Sequence, residues 1–240
     1  MIYIENFKAK INFKVFLIFL AFILAGCANT STVKSSSNQF DGKDVIFVPT
    51  GSLKVEGVFT GIGPAFGLLG ILIEQAATES SRAKAAEQVK ESFGIDSTFD
   101  SAGKILQSST QRFGAIKKYS ITKRTLLDQE FSLWFNSDSR SDYALVANNS
   151  DIIIDFGFQD LTITSWLSRS YAGGTFGLRV IDSKTGKVLA RARTYATGAS
   201  TGEMIAVAKD HPTYNQELNS AFTNLVNKIT KEAIAKVTEK

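Results

Sequence analysis

The chain has 240 residues, with 27 basic and 23 acidic side chains, one histidine and one cysteine. A formal charge of +4 is too small for general nucleic-acid binding, which needs a dense basic stripe. A lone cysteine leaves no partner for an internal disulfide and no thiolate cluster for a metal.

The chain begins with a basic region holding Lys8, Lys10 and Lys14, followed by a continuous apolar run from Val15 to Ala25. A positive segment, an apolar core of this length and small residues after it describe a secretory signal peptide. The run is shorter than the ~20 apolar residues of a spanning helix. It closes on Leu24-Ala25-Gly26-Cys27, and here the sequence resembles a bacterial lipoprotein signal, the lipobox. The resemblance implies that residues 1–26 are removed and that Cys27 takes a diacylglyceryl thioether, becomes the N-terminus and is acylated on its amine. That covalent lipid is the membrane anchor, and no other cofactor is implied. In lipoproteins an aspartate after the cysteine favours the inner membrane. Ala28 stands there instead, which implies the outer membrane facing the periplasm. The alternative is a secreted protein with an incidental cysteine. Loss of three lysines and Glu5 on cleavage lowers the charge from +4 to about +2.

Residues 27–39 are rich in Asn, Thr, Ser and Lys and read as a flexible tether of about 20 Å r.m.s. reach. Residues 40–240 are expected to form one α+β domain. A short strand is expected at Val45-Ile46-Phe47-Val48, stopping at Pro49 and Gly51. Residues 57–73 are apolar and studded with glycine, and a long helix is expected over about 65–93. Its N-terminal half is either a buried core helix or a membrane or subunit contact through Gly63, Phe66, Gly67, Leu68 and Gly70. Gly63-x-x-x-Gly67 is a close-packing pattern that permits a homo-oligomer. The spacing of these glycines departs from a dinucleotide-binding loop.

A second helix is expected from Thr98 to Phe113, capped by Ser97 and ended by Gly114. Tyr119–Thr122 suggests a brief strand. Leu126, Leu127, Phe131, Trp134 and Phe135 suggest a helix with an aromatic face, Trp134 being a core anchor rather than a ligand platform. A short helix at Asp142–Ala147 ends at Asn148-Asn149, which tolerate left-handed backbone.

The period then changes to strand spacing at 152–158, 161–166, 175–180 and 188–195, with a turn at Asp182–Gly186. Four sequential strands over about 151–197 make an antiparallel meander, part of an antiparallel or mixed sheet covered by amphipathic helices. The last helix is expected from Tyr214 to Val237, with Thr213 and Gln216 as a capping box.

Two features bear on chemistry. Gly198-Ala199-Ser200-Thr201-Gly202 matches the nucleophile elbow of serine hydrolases, yet the strand before it closes a hairpin and the only histidine is His211. Ser200 is therefore the weakest of the functional readings, and His211 reads as a surface or capping residue. The second is a sheet face combining Trp166, Arg179, Arg191, Arg193 and Tyr195 with Asp155. A hairpin loop over 168–174 adds Arg169 and Tyr171. Such residues dominate interface hot spots, so this is the candidate surface for an envelope protein partner. The bland reading is a solvated face held by cross-strand Asp–Arg pairs.

The order of elements, with Ser150-Asp151-Ile152-Ile153-Ile154 and the hairpin Val180-Ile181-Asp182-x-x-Thr185-Gly186-Lys187-Val188, resembles envelope lipoproteins similar to the N-terminal domain of the Tol translocation protein TolB. Relatives include the curli secretion-channel lipoprotein and lipoprotein activators of penicillin-binding proteins. The resemblance covers about residues 40–240 and implies a non-catalytic, lipid-anchored protein that binds or scaffolds another envelope protein. No residue role is carried over.

Overall fold

The computed structural model describes residues 40–51, 53–58, 94–126, 129–166, 169–197, 201–208 and 211–238. Cys27 and the tether, the glycines of the apolar stretch from Gly61 onward, the helix expected over 65–93 and Ser200 lie outside the described residues. All described residues fall in the unit Ser31–Lys240.

The fold is α+β, built on a mixed seven-stranded open sheet. Its centre is a pair of long strands, β4 (Ile152–Trp166) and β5 (Arg169–Asp182), joined as an antiparallel hairpin. Strand β6 (Val188–Ala196) extends the hairpin on one side, antiparallel to β5. On the other side β1 (Asp44–Pro49) runs parallel to β4, and β3 (Lys118–Ile121) runs parallel to β1. Two short strands complete the far half: β2 (Lys54–Val58) pairs with β4 and β7 (Glu203–Ile205) with β5.

The expected strands 152–158 and 161–166 are one strand. The register shifts between Phe158 and Leu161, a β-bulge that absorbs the extra residue. Ile152, Ile154, Phe156 and Phe158 face the main core, and after the bulge Leu161 and Ile163 return to it. The meander therefore has three long strands rather than four. Likewise 169–174 is not a loop: these residues are paired along β5.

Each face of the sheet has its own cover. Helices α1 (Ile95–Ser108) and α4 (Tyr214–Thr238) pack on the apolar face and on each other. α4 buries Leu218, Phe222, Leu225, Ile229, Ala233 and Val237 on one stripe, each of the larger side chains worth about 1.5–3 kcal/mol of transfer. α1 begins at Gly94 without a side-chain cap, so Ser97 lies inside the helix rather than at its cap. A 3₁₀ turn, Thr110–Phe113, follows and ends at Gly114, whose φ of 95° suits glycine. The opposite face carries α2 (Phe131–Asn136) and α3 (Tyr143–Val146). Tyr143 and Val146 cover Ile46, Val48, Ile153 and Ile181, and the chain leaves α3 through left-handed Asn148 and Asn149. Among the described residues no helix is long and apolar enough to cross a membrane.

Candidate functional site

Strand register sets the site. Asp155 of β4 lies opposite Arg179 of β5, which lies opposite Arg191 of β6. The next row on the same face is Gly157, Gly177 and Arg193. Tyr195 faces Thr175, Tyr171 faces Thr164, and Trp166 faces Arg169. The residues expected to share a face therefore do share one by register.

That face is not open along its whole length. α2 lies across the two rows, with Phe131, Trp134 and Phe135 buried. A Cβ built on Gly177 would stand 2.7 Å from the Phe131 ring, 3.0 Å from Phe135 and 3.1 Å from Trp134. The glycine is what lets the three rings reach the sheet. Trp134 is the expected core anchor, and its indole Nε1 donates to Asp155 Oδ2 at 3.0 Å.

Asp155 is fully buried, and the same oxygen receives two guanidinium groups, Arg179 Nη2 at 2.8 Å and Arg140 Nη1 at 2.9 Å. Arg140 is held in place because its backbone N–H donates to the Gly186 carbonyl, in the turn between β5 and β6. Its guanidinium also grips Asp142 at 2.6 and 3.0 Å and donates to Thr50 Oγ1 at 3.1 Å. Arg179 stacks over Trp134 at 4.7 Å and donates through Nη1 to the Trp134 carbonyl at 2.6 Å. Arg191 donates to the Phe135 and Asn136 carbonyls at 3.2 and 2.8 Å and pairs with Asp138. Arg193 sits over Phe131 at 5.6 Å and pairs with Gln159.

These arginines form the clamp of α2. A helix of six residues cannot stabilise itself, and its last carbonyls have no partners within the helix. Arg179 and Arg191 supply the donors and place positive charge at the negative end of the helix. Burial pushes the Arg179 guanidinium down from its ordinary range, with Asp155 opposing the shift. Burial acts likewise on Arg140, but there Asp155 and Asp142 outweigh it and raise the pKa. The Asp142 carboxyl is pushed up by burial, yet the Arg140 hydrogen bond and charge hold it below its ordinary value.

The expected partner surface is thus divided. Arg179 is 1% exposed and does not belong to it, because its charge is consumed under α2. Arg191 and Arg193 are mostly committed to α2 and Gln159. Arg169 and Tyr195 are exposed and Tyr171 is half-buried. Trp166 is placed by backbone register alone.

A pocket of ≈ 270 Å³ opens beside the cluster, with Thr50, Trp134, Arg140 and Arg179 among its lining residues. Two of its hydroxyls bond to the backbone: Ser137 Oγ donates to the Ser139 carbonyl at 2.7 Å and Thr50 Oγ1 to the Val48 carbonyl at 3.3 Å. Among the described residues Asp155 Oδ1 and Arg179 Nε are buried without hydrogen-bond partners. The arrangement binds a helix to a sheet electrostatically and presents no nucleophile held against a base. Among the described residues no cluster of His, Cys, Asp or Glu could hold a metal. β6, the strand before Ser200, is antiparallel to β5, unlike the parallel strand of a nucleophile elbow. His211 is exposed, and its Nδ1 meets Thr213 Oγ1 at 2.9 Å and the Thr213 N–H at 3.3 Å at the start of α4. The first N–H of α4, that of Tyr214, donates to the His211 carbonyl at 3.0 Å.

No protein-family model matches the sequence, and no curated protein matches it. Solved structures similar to the chain include PelC from Paraburkholderia phytofirmans, a dodecamer, at 14% identity and a TM-score of 0.36, covering 87% of this chain and 96% of that one. Another is protein XCC0632 from Xanthomonas campestris, at 9% identity and a TM-score of 0.41, covering 85% and 90%. The hypothetical protein CT253 from Chlamydia trachomatis matches at 11% identity and a TM-score of 0.40, covering 83% and 99%. Likenesses this distant specify neither an activity nor a partner.

Proposed function

We propose that the protein is a lipid-anchored lipoprotein of the outer membrane, facing the periplasm, that binds or scaffolds another envelope protein and catalyses no reaction. The observation that carries this reading is Leu24-Ala25-Gly26-Cys27 at the end of an apolar run behind three lysines. A cysteine bearing more than one acyl chain anchors stably, whereas a single chain holds only marginally. The commitment of the Asp155 cluster to α2 supports the non-catalytic part of the reading, since its charged groups serve packing. Arg169, Tyr171 and Tyr195 remain on the sheet face as groups able to meet a partner.

Metabolic labelling with an alkyne fatty acid in a Gram-negative host tests the anchor. The wild-type chain takes up label and fractionates with membranes, while Cys27→Ser takes up none. A wild-type chain that starts at Met1 with a free thiol overturns the reading.

A second reading, a subunit of a membrane-associated oligomer, is favoured by Gly63-x-x-x-Gly67. Light scattering on the solubilised chain separates the two: a monomer sinks the oligomer.

A further inference from the structure

We infer that the end of the sheet where the chain enters from the tether rests on acidic lipid headgroups through a cluster of exposed lysines. The inference rests on the lipid-anchor reading and adds to it a face and an orientation.

Strand register gathers the cluster. The Lys117 N–H donates to the Lys43 carbonyl at 3.0 Å, and Asp44 of β1 pairs with Lys118 of β3. On the other side of β1, the Asp151 N–H donates to the Asp44 carbonyl and the Ser183 N–H to the Asp151 carbonyl. That step leads to the Asp182–Gly186 turn, which carries Lys184 and is followed by Lys187. Lys43, Asp151, Ile152, Asp182, Lys184 and Leu189 line one hollow of ≈ 250 Å³, so Lys43 and Lys184 flank the same surface. Lys43, Lys117, Lys118, Lys184 and Lys187 are all exposed.

Four carboxylates share this end, but they lie deeper. Asp44, Asp151 and Asp182 are half-buried, and Asp41 alone of the four is exposed. Three accept from backbone N–H groups: Asp41 from Ala115 at 2.7 Å, Asp151 from Asp44 at 3.1 Å and Asp182 from Thr185 at 2.8 Å. The fourth, Asp44, has Oδ1 buried. Among the described residues none of the five lysines forms an ion pair. The carboxylates serve the turns and strand ends beneath, and the ammonium groups are left for an outside anion. Lysines held near an anionic leaflet each add to its attraction.

Chain length selects the membrane as that anion. Residues 28–39 separate Cys27 from Phe40, and a coil of this length reaches about 20 Å r.m.s.. Their one charge is Lys34. The Phe40 ring packs edge-on against Phe113 at 5.2 Å, which fixes the point of entry beside Lys43 and Lys117. A strand rises about 3.3 Å per residue, so Trp166 at the far end of β4 lies about 45 Å from Ile152. A leash of that reach holds the lysine end at the headgroups. It leaves the hairpin end, with Arg169 and Tyr171, pointing away from the membrane toward a partner.

The test reconstitutes the acylated chain in vesicles of phosphatidylcholine alone and in vesicles containing one-third phosphatidylglycerol. Exposed amines are acetylated with sulfo-N-hydroxysuccinimide acetate and the sites are read by mass spectrometry. On the phosphatidylglycerol vesicles the five lysines react at least threefold more slowly than on phosphatidylcholine. Lys228, paired with Glu203 of β7 in the far half of the sheet, reacts equally on both. About 1 M salt, with a screening length of about 3 Å, abolishes the difference. Lys43→Glu/Lys117→Glu/Lys184→Glu removes the protection of Lys118 and Lys187, whereas arginine at the same three positions keeps it. Circular dichroism checks that both variants, altered only at exposed positions, are folded. Equal labelling on the two vesicles, protection of Lys228 in place of the five, or protection that survives the charge reversal overturns the inference. So does protection in native membranes but on neither vesicle, which would assign the lysines to an acidic protein. A chain without lipid on Cys27 removes the anchor and the inference together, and a lipidated chain without protection removes the inference alone.

Discussion

The two faces of the sheet are built by opposite rules. Under α1 and α4 the contacts are apolar: Phe156, Leu178 and Val180 meet Phe222, Leu225 and their neighbours in one continuous core. Under α2 the sheet offers a carboxylate, arginines and two glycines, and the helix answers with three aromatic rings and its own carbonyl end. The first face is held by area, which tolerates changes of shape. The second is held by a few charged hydrogen bonds, each of which has a designated partner. A row of arginines on a strand is therefore no guide to solvent. It can equally be a mount for a helix too short to stand alone.

The sharpest way to break this comparison is Asp155→Ala. The substitution leaves Arg140 and Arg179, 6% and 1% exposed, facing each other with no carboxylate between them. Removing one member of a buried ionic cluster costs about 3–5 kcal/mol. That rivals a Leu→Ala change in the core, about 2–5 kcal/mol. Urea denaturation reads the loss directly. A cost under about 1 kcal/mol would mean that the polar face contributes little and α2 is held by its rings alone.

Gly177→Ala probes those rings. The new methyl would sit 2.7 Å from Phe131 and 3.1 Å from Trp134, so α2 must lift or tilt. Overpacking of this kind costs about 1–3 kcal/mol in the same measurement. An unchanged midpoint would show that α2 can shift freely, which the charged bonds to its carbonyls should forbid.

Legibility in the sequence follows the same division. The apolar face announces itself by alternation, and β1, β6 and α4 stand close to where their periods put them. So does the Asp182–Gly186 turn, where Asp182 accepts from the Lys184 and Thr185 N–H groups and Gly186 has φ 70°. The break expected near Gln159 is a bulge, because a two-residue polar interruption reads alike whether the chain turns back or continues. Parallel addition of β1 and β3 leaves no trace in local spacing, since the pairing is between distant segments. For the site, register correctly grouped Asp155, Arg179, Arg191 and Arg193. What covers them depends on where a helix from elsewhere in the chain lands, and periodicity carries no such address.

The smallest effect expected has the opposite sign and falls on the apolar face. Gly103 lies in the interior of α1, where among the described residues a Cβ meets Ile121 at 3.6 Å and Phe156 at 4.0 Å. Alanine there removes the entropic cost of a helical glycine without a clash, so Gly103→Ala should stabilise the chain by about 0.5–1 kcal/mol. Gly177→Ala is the same chemical change on the other face and should do the reverse. Opposite signs for one methyl group, read in one urea series, would establish that the first glycine leaves room beside Ile121 while the second yields its room to α2. If Gly103→Ala destabilises instead, α1 packs against the sheet more tightly than its Cβ distances allow.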